Sequence, residues 1–82
     1  MNVTLLYFAG VRDALGTSEE KVALPADVGT IDALRAWLVR AHPVLEERMA
    51  YVRLARNERF AAGSDVIAEG DVIALIPPVA GG

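Results

Sequence analysis

Strand-like apolar runs lie near both ends of the chain. Residues 2–8 (NVTLLYF) and 72–76 (VIALI) are rich in side chains that favour strands, and both runs are apolar at odd and even positions. Alternation along the first run places its odd-numbered apolar residues on one face and two even-numbered ones on the other: Val3, Leu5 and Tyr7 against Leu6 and Phe8. We predict a strand in each run, with protein contacts on both of its faces.

The most regular amphipathic segment lies between Thr30 and Pro43. Apolar side chains recur there at helical spacing and form one stripe: Ile31, Leu34, Trp37, Leu38 and Ala41. Thr30 can cap the N-terminus of this helix, and Asp32 suits its first turn. Pro43 ends the helix because the residue before a proline disfavours the α conformation. The stripe is predicted to be core, and the imidazole of His42 is expected to cap carbonyl groups at the helix end.

Shorter elements fill the rest of the chain. Further strands are predicted at residues 21–24, 51–56 and 60–61. Asn57-Glu58 is predicted to form a turn because asparagine tolerates positive φ. A short helical turn at 9–15 would close at Gly16, which suits a left-handed C-cap.

This order of elements indicates the fold class. One amphipathic helix covers only one face of a small sheet, so the pattern predicts a two-layer α+β domain. The other face must meet connecting turns or a second protein, and an apolar patch on a small acidic domain favours a partner interface. We place the folded domain at residues 1–77 and a flexible tail at residues 78–82.

The composition narrows the possible functions. The 82 residues suffice for one domain, and a hydrophobic content of 54% is too high for a disordered chain. A net charge of −3 without a basic run gives no electrostatic drive toward nucleic acid. No run is long enough to span a bilayer and the N-terminus lacks a signal pattern, so we expect a cytoplasmic protein with no membrane partner.

Residue types that support catalysis or metal binding are scarce. The absence of cysteine removes disulfides, thiolate metal ligands and cysteine nucleophiles together. His42 is the only histidine, and no Ser-His-Asp set, glycine-rich phosphate loop or metal-ligand cluster can be assembled. We therefore expect a substrate or carrier that holds no metal, rather than an independent catalyst.

The most distinctive segment is the C-terminal Pro77-Pro78-Val79-Ala80-Gly81-Gly82. Two prolines hold the backbone extended, and two glycines without Cβ can pass through a channel too narrow for side chains. Five residues beyond Pro77 reach on the order of 15 Å at about 3.3 Å per residue. We expect the terminal carboxylate to enter the active site of another enzyme.

Four stretches together identify a family. They are residues 8–12 (FAGVR) with 14–16 (ALG), residues 30–35 (TIDALR), Asn57-Glu58, and residues 69–82 (EGDVIALIPPVAGG). With them the whole chain resembles the β-grasp, ubiquitin-like sulfur carriers, most closely the small subunits of molybdopterin synthase. Only the last stretch is diagnostic by itself. Arg56 departs from the family pattern, which often has an apolar residue before the turn asparagine.

The resemblance implies both a fold and a chemistry. The fold is a single β-grasp domain: a mixed sheet of about five strands, one main helix on one face, and an extended C-terminal tail. A ubiquitin-activating-like adenylyltransferase, using ATP and Mg²⁺, would adenylate the carboxylate of Gly82, and a sulfur donor would convert it to a thiocarboxylate. The Gly81-Gly82 end would then enter the large subunit and donate sulfur to cyclic pyranopterin monophosphate, and two such transfers build the dithiolene of molybdopterin.

The resemblance also places catalysis outside this chain. The catalytic residues would belong to the large subunit of a heterotetrameric synthase, and the chain itself would bind no cofactor. Candidate partner-binding residues flank the reactive end: Phe8, Arg12, Leu75, Ile76, Pro77, Pro78, Val79 and Ala80. Leu75 and Ile76 are candidates for apolar docking, although alternation makes one of them core. Arg12 could contact a partner or pair with Asp13 or Glu19.

Other functions stay open at this point. One is a carrier for another pathway, such as thiazole formation in thiamine synthesis, against which the Pro77-Pro78-Val79 lead-in, Phe8-Ala9 and the chain length all argue. Another is a ubiquitin-like modifier joined to lysines through its tail, and a third is an interaction domain whose tail is incidental. Deleting Gly81 and Gly82 separates the carrier and the modifier, which lose function, from the interaction domain, which does not.

Overall fold

Within residues 1–78, the part of the chain that the computed structural model describes, there are five strands, two α-helices and two 3-10 turns. The strands are β1 (Asn2–Tyr7), β2 (Glu19–Ala23), β3 (Arg53–Arg56), β4 (Arg59–Phe60) and β5 (Val72–Ile76). The helices are α1 (Ala9–Leu15) and α2 (Ile31–Ala41), and the 3-10 turns are Pro43–Leu45 and Met49–Tyr51. None of the helices in this part of the chain has the length and apolar character needed to cross a membrane.

The strands form one mixed sheet in the order β2-β1-β5-β3-β4. β1 and β5 are parallel neighbours, and the other neighbouring pairs are antiparallel. Tyr7 lies beside Leu75 in the parallel register, so β1 and β5 end at the same edge of the sheet. This pairing brings Phe8, directly after β1, close to Ile76 at the end of β5.

Helix α2 packs across one face of the sheet. Its fully buried side chains are Ile31, Leu34 and Leu38. They share one hydrophobic core with inward-pointing strand residues, including Val3, Leu5, Tyr7, Leu54, Ile73 and Leu75. The predicted faces of β1 and the centre of the predicted helical stripe are therefore confirmed.

The margins of the stripe differ from the prediction. Trp37 is half-buried and packs against the core from its rim. At about 100° per residue it lies roughly 90° from the centre of the buried stripe, so only part of its ring can be covered. Ala41 is exposed, and its prediction as a core residue was wrong because it lies in the last turn, where the chain leaves the sheet.

Local capping follows the sequence signals. The Thr30 hydroxyl accepts a hydrogen bond from the Ala33 N–H at 3.2 Å and caps α2. Gly16 closes α1 at φ 76°, in the left-handed region that glycine adopts without steric penalty. Asn57 and Glu58 both have positive φ, 50° and 71°, which is the signature of a two-residue type I′ hairpin between β3 and β4. The predicted cap, helix end and turn are confirmed.

Strand boundaries shift where a turn competes with the sheet. Phe8 was predicted to continue β1, but it is the N-cap of α1, and its carbonyl accepts from the Val11 and Arg12 N–H groups at 3.0 and 3.3 Å. Tyr51 was predicted in β3, but its N–H donates to the Arg48 carbonyl within a 3-10 turn. The other two short strands, predicted at 21–24 and 60–61, are observed as β2 and β4 at Glu19–Ala23 and Arg59–Phe60.

Candidate partner-binding site

The sheet surface that points away from α2 is mainly apolar, and we call it the outer face. Its members come from four strands and the residue after β1: Leu6, Phe8, Ala55, Phe60, Val72, Ala74 and Ile76. Phe60 is 55% exposed, Phe8 45% and Val72 37%, so three large apolar side chains of this face meet water. Exposed apolar area concentrated in this way is typical of a surface that binds a partner.

Small side chains in the middle of the outer face create a depression. Ala74 pairs with Leu6 on one side and with Ala55 on the other, and Ala55 pairs in turn with Phe60. The alanine methyl groups lie between larger neighbours, which leaves an open depression of about 570 Å³. A protruding apolar side chain of a partner could fill it.

A second depression of about 690 Å³ lies beside the first. It runs between the start of α1 and the second 3-10 turn, and its walls include Gly10, Tyr51 and Pro78. Phe8 and Ile76 line both depressions, so the two form one continuous apolar region. The lining of the second one is mostly apolar, with Arg48 as its charged member.

Strand β5 ends at this region. Ile76 ends β5 with its side chain half-buried on the outer face, followed by Pro77 and by exposed Pro78. Leu75 is completely buried, and its prediction as a docking residue was wrong, because strand alternation turns it toward α2 beside Tyr7 and Leu54. The predicted site residues Val79, Ala80, Gly81 and Gly82 lie outside the described residues, and the domain boundary after residue 77 stays a prediction.

Arg12 lies on α1, away from both apolar depressions. It is exposed, and its Nε is 3.9 Å from Oδ1 of Asp13, so one of its two predicted intramolecular partners is present. An exposed pair at this distance adds little to stability. A contact between Arg12 and a partner protein stays a prediction.

A charged network supports the β3–β4 hairpin. The buried Asp71 carboxylate accepts hydrogen bonds from the Arg56 Nε, the Asn57 side-chain amide and the Ala68 N–H. Burial by itself raises the pKa of Asp71, but these hydrogen bonds and the charge of Arg56 outweigh it and hold the pKa below its usual value. The arginine that departs from the family pattern thus has a defined structural role.

A second network joins β1, β2 and the end of α2. The Tyr7 hydroxyl donates a hydrogen bond to Glu20 Oε1, and burial together with this carboxylate raises the pKa of Tyr7. The His42 Nε2 lies 3.3 Å from the same oxygen. The prediction that the His42 imidazole caps carbonyl groups was wrong, because a carboxylate from the neighbouring strand is within its reach. Among residues 1–78, no cluster of three or more His, Asp or Glu is arranged to hold a metal ion.

Comparison with known proteins decides the family. Residues 5–82 match the family described as the ThiS family. The chain belongs to the ThiS family. It is 34% identical to the molybdopterin synthase sulfur carrier subunit of Chlamydomonas reinhardtii, an alignment that covers 100% of both chains. It is 37% identical to small archaeal modifier protein 1 of Haloferax volcanii, over 92% of this chain and 94% of that protein.

Solved structures agree with this membership. The crystal structure of SAMP1 from Haloferax volcanii matches with a TM-score of 0.86 and 31% identity, covering 100% of both chains. One chain of the protein–protein complex of subunits 1 and 2 of molybdopterin-converting factor from Helicobacter pylori 26695 matches with a TM-score of 0.73 and 25% identity, covering 100% of this chain and 100% of that chain. A ubiquitin from Caldiarchaeum subterraneum, at 20% identity and a TM-score of 0.64, shares the fold alone, over 100% of this chain and 98% of that one. The β-grasp fold predicted for this ThiS family member is confirmed.

Sequence reasoning missed several residues of the outer face. Leu6, Ala55, Phe60, Val72 and Ala74 were not predicted as site residues. Alternation along β5 was a usable signal, because Val72 and Ala74 must share the face of Ile76. Ala55 and Phe60 could not be placed in this way, since their position depends on the register of the β3–β5 and β3–β4 pairs.

Proposed function

We propose that this chain is the sulfur carrier subunit of molybdopterin synthase. The observation that carries the proposal is the position of the continuous apolar region at the base of the Gly-Gly segment. A partner that binds Phe8 and Ile76 would hold the following residues, from Pro77 onward, in a fixed entry direction. The 34% identity to a named sulfur carrier subunit over the whole chain supports the same function.

The proposed chemistry takes place at the carboxyl group of Gly82. The carboxylate attacks the α-phosphorus of ATP and releases pyrophosphate, which gives an acyl adenylate. A sulfur donor then displaces AMP, and the acyl carbon is left as a thiocarboxylate. In the large subunit this sulfur forms a bond to a carbon of cyclic pyranopterin monophosphate and replaces an oxygen substituent there, and the carbon–oxygen bond breaks with its electron pair leaving on the oxygen. Water then cleaves the acyl–sulfur bond, which leaves the sulfur on the pterin and regenerates the carboxylate.

The partners would supply the catalytic groups. ATP and Mg²⁺ would be bound by a ubiquitin-activating-like adenylyltransferase, and the pterin by the large subunit, with which this chain would form a heterotetrameric synthase. The Helicobacter complex of subunits 1 and 2 supports a two-subunit assembly. This chain would contribute positioning: the bound domain delivers one acyl group to a fixed place in each partner, which lowers the entropic barrier to reaction.

The test is a reconstituted synthesis with variants of the tail. Deletion of Gly81 and Gly82, assayed with the activating enzyme, a sulfur source and the large subunit, is expected to abolish dithiolene formation while thermal unfolding stays unchanged. Gly82→Ala is expected to lower the rate of adenylation at least about tenfold, because a Cβ enters the narrowest part of the route.

Gly29→Ala is the matched control for the added methyl group. A Cβ at Gly29 meets no heavy atom within 4 Å, so this variant should keep full activity. Full dithiolene synthesis by the truncated chain would rule out the carrier function.

A protein modifier is the second candidate, favoured by the 37% identity to small archaeal modifier protein 1. The same adenylate would then acylate a lysine amine and release AMP. Lys21 is the only lysine of this chain, so a self-linked product would have a single side-chain acceptor. Covalent adducts that form on other proteins with ATP, and that disappear when Gly82 is deleted, would establish this function beside or instead of sulfur transfer.

A further inference from the structure

Arg53 is a cation placed within the apolar outer face. It lies on β3 directly opposite Ile76, and it shares its face with Ala55 two residues further along the strand. Its guanidinium carbon is 3.6 Å from the centre of the Phe60 ring, so the cation stacks on one of the exposed aromatic rings. The other outward charges of the sheet, Glu19 and Lys21, lie on the edge strand β2 at the far side of β1.

The guanidinium has no carboxylate partner in the described part of the chain. The ion pairs found among residues 1–78 are Arg12–Asp13, His42–Glu20 and Arg56–Asp71, and none involves Arg53. Arg53 is exposed, so its donors face solvent in the free protein. A partner that covers Phe60 and Ile76 would remove part of this solvent, and a buried cation without an acceptor is strongly unfavourable.

Stacking on Phe60 prepares Arg53 for a directed contact. The ring limits the positions of the guanidinium, so less conformational entropy is lost when a partner binds. The planar group offers paired N–H donors whose geometry matches the two oxygens of a carboxylate. An Asp or Glu side chain within an apolar surface would therefore complement this part of the outer face.

We propose that Arg53 is a specificity-determining residue of the outer face, which selects a partner surface that places a carboxylate over the Arg53–Phe60 pair. The inference rests on the proposed docking of the outer face to the large subunit of the synthase. A partner that is equally apolar but lacks the carboxylate would leave the cation desolvated and unpaired, and it would be rejected for that reason.

Arg59 provides a matched control. It precedes Phe60 on β4 and pairs with Arg56, so alternation turns it to the opposite side of the sheet from Phe60. It is exposed, and it borders a polar depression that also contains Asp65. Arg59→Gln changes the net charge by the same amount as Arg53→Gln and leaves the outer face unchanged.

The test measures binding to the large subunit encoded by the same genome, by titration calorimetry at low and high salt. We expect Arg53→Gln to weaken binding at least about tenfold and to reduce the salt dependence, and Arg59→Gln to stay within about twofold of wild type. The affinity of Arg53→Lys should lie between those of Arg53→Gln and Arg59→Gln, because lysine keeps the charge but loses the planar donor pair. Thermal unfolding of each variant checks that the fold is intact.

Three results would overturn the inference. If Arg53→Gln binds like wild type, Arg53 has no effect on binding. If Arg59→Gln weakens binding as much as Arg53→Gln does, the effect of Arg53 is only that of long-range charge. If wild type itself does not bind the large subunit, the proposed docking fails, and the role of Arg53 fails with it. Wild-type binding together with an unaffected Arg53→Gln variant overturns the inference alone and leaves the proposed function standing.

Discussion

Asp71 is a buried carboxylate whose partners come from three segments of the chain. Arg56 belongs to β3, Asn57 to the hairpin turn, and Ala68 to the loop before β5. The Asn57 side-chain oxygen also accepts from the Val72 N–H at 2.9 Å, so the hairpin turn is hydrogen-bonded to the first residue of β5. The network orients the strand pair that carries Arg53, Ala55 and Phe60.

This network predicts a loss of stability in acid. Because the pKa of Asp71 is lowered in the folded state, its carboxylate stabilises the fold at every pH above the unfolded pKa of about 3.9. That stabilisation disappears as the pH falls through the lowered pKa of the folded state. Asp71→Asn should cost about 1–3 kcal/mol of unfolding free energy at pH 7, since it leaves Arg56 without its carboxylate.

Urea unfolding across the acid range measures both effects. The difference between wild type and Asp71→Asn should shrink as the pH falls below about 4. Asp65→Asn is an exposed control, and its unfolding should follow wild type more closely over the same range. A difference at position 71 that does not depend on pH would exclude the ionised carboxylate as its source.

At the scale of elements, α2 buries three side chains in the core where α1 buries one, and Leu34, in the first half of α2, has no exposed surface. Leu34→Ala should lower the free energy of unfolding by about 2–5 kcal/mol, through lost apolar contacts and the cavity left behind. Chemical denaturation measures this change. Arg40→Ala, an exposed truncation in the same helix, should stay within about 0.5 kcal/mol of wild type. Equal effects of the two variants would refute the register of α2.

Alternation along β5 makes an equally specific prediction. Leu75→Glu places a carboxylate in the core and should prevent stable folding, whereas Ile76→Glu should fold normally. On the outer face, Ile76→Glu should weaken binding of the large subunit at least about tenfold, because it removes an apolar contact and lets the new carboxylate pair with Arg53, which lies directly opposite. Melting curves and binding titrations of the two variants check this assignment. Undiminished binding by Ile76→Glu would show that the docking surface lies elsewhere.

The elements differ in how far the sequence determined them. Helix α2 and strand β5 follow from periodicity and from flanking prolines, and the Asn57-Glu58 turn follows from local φ preferences. Phe8 was misplaced because a strand end and a helix cap both accept extended backbone, so the apolar run alone does not show where β1 stops. The burial of Asp71 and the stacking of Arg53 on Phe60 depend on pairing between separate strands, which no local pattern encodes.

At the scale of the whole molecule, the parallel pair β1–β5 links the fold to its proposed use. It places Phe8 and Ile76 at one edge, so the C-terminal segment starts from the centre of the apolar region. A net charge of −3 is compatible with a protein partner and gives no attraction to nucleic acid. The described domain thus presents an apolar surface that we propose as the docking site, and the proposed chemistry takes place at the C-terminal carboxyl group.

The most direct measurement is alkylation of the activated protein followed by peptide mass analysis. The chain is incubated with ATP, Mg²⁺, its activating enzyme and a sulfur source, and is then treated with iodoacetamide. The chain has no cysteine, and its last tryptic site is Arg59, so a thiocarboxylate would appear as an adduct on the peptide 60–82. Mapping to this peptide excludes oxidised Met1 or Met49, whose mass change resembles the exchange of oxygen for sulfur. An ATP-dependent adduct at Gly82 is the predicted result. Its absence, with an enzyme that activates another carrier under the same conditions, would contradict the sulfur carrier function.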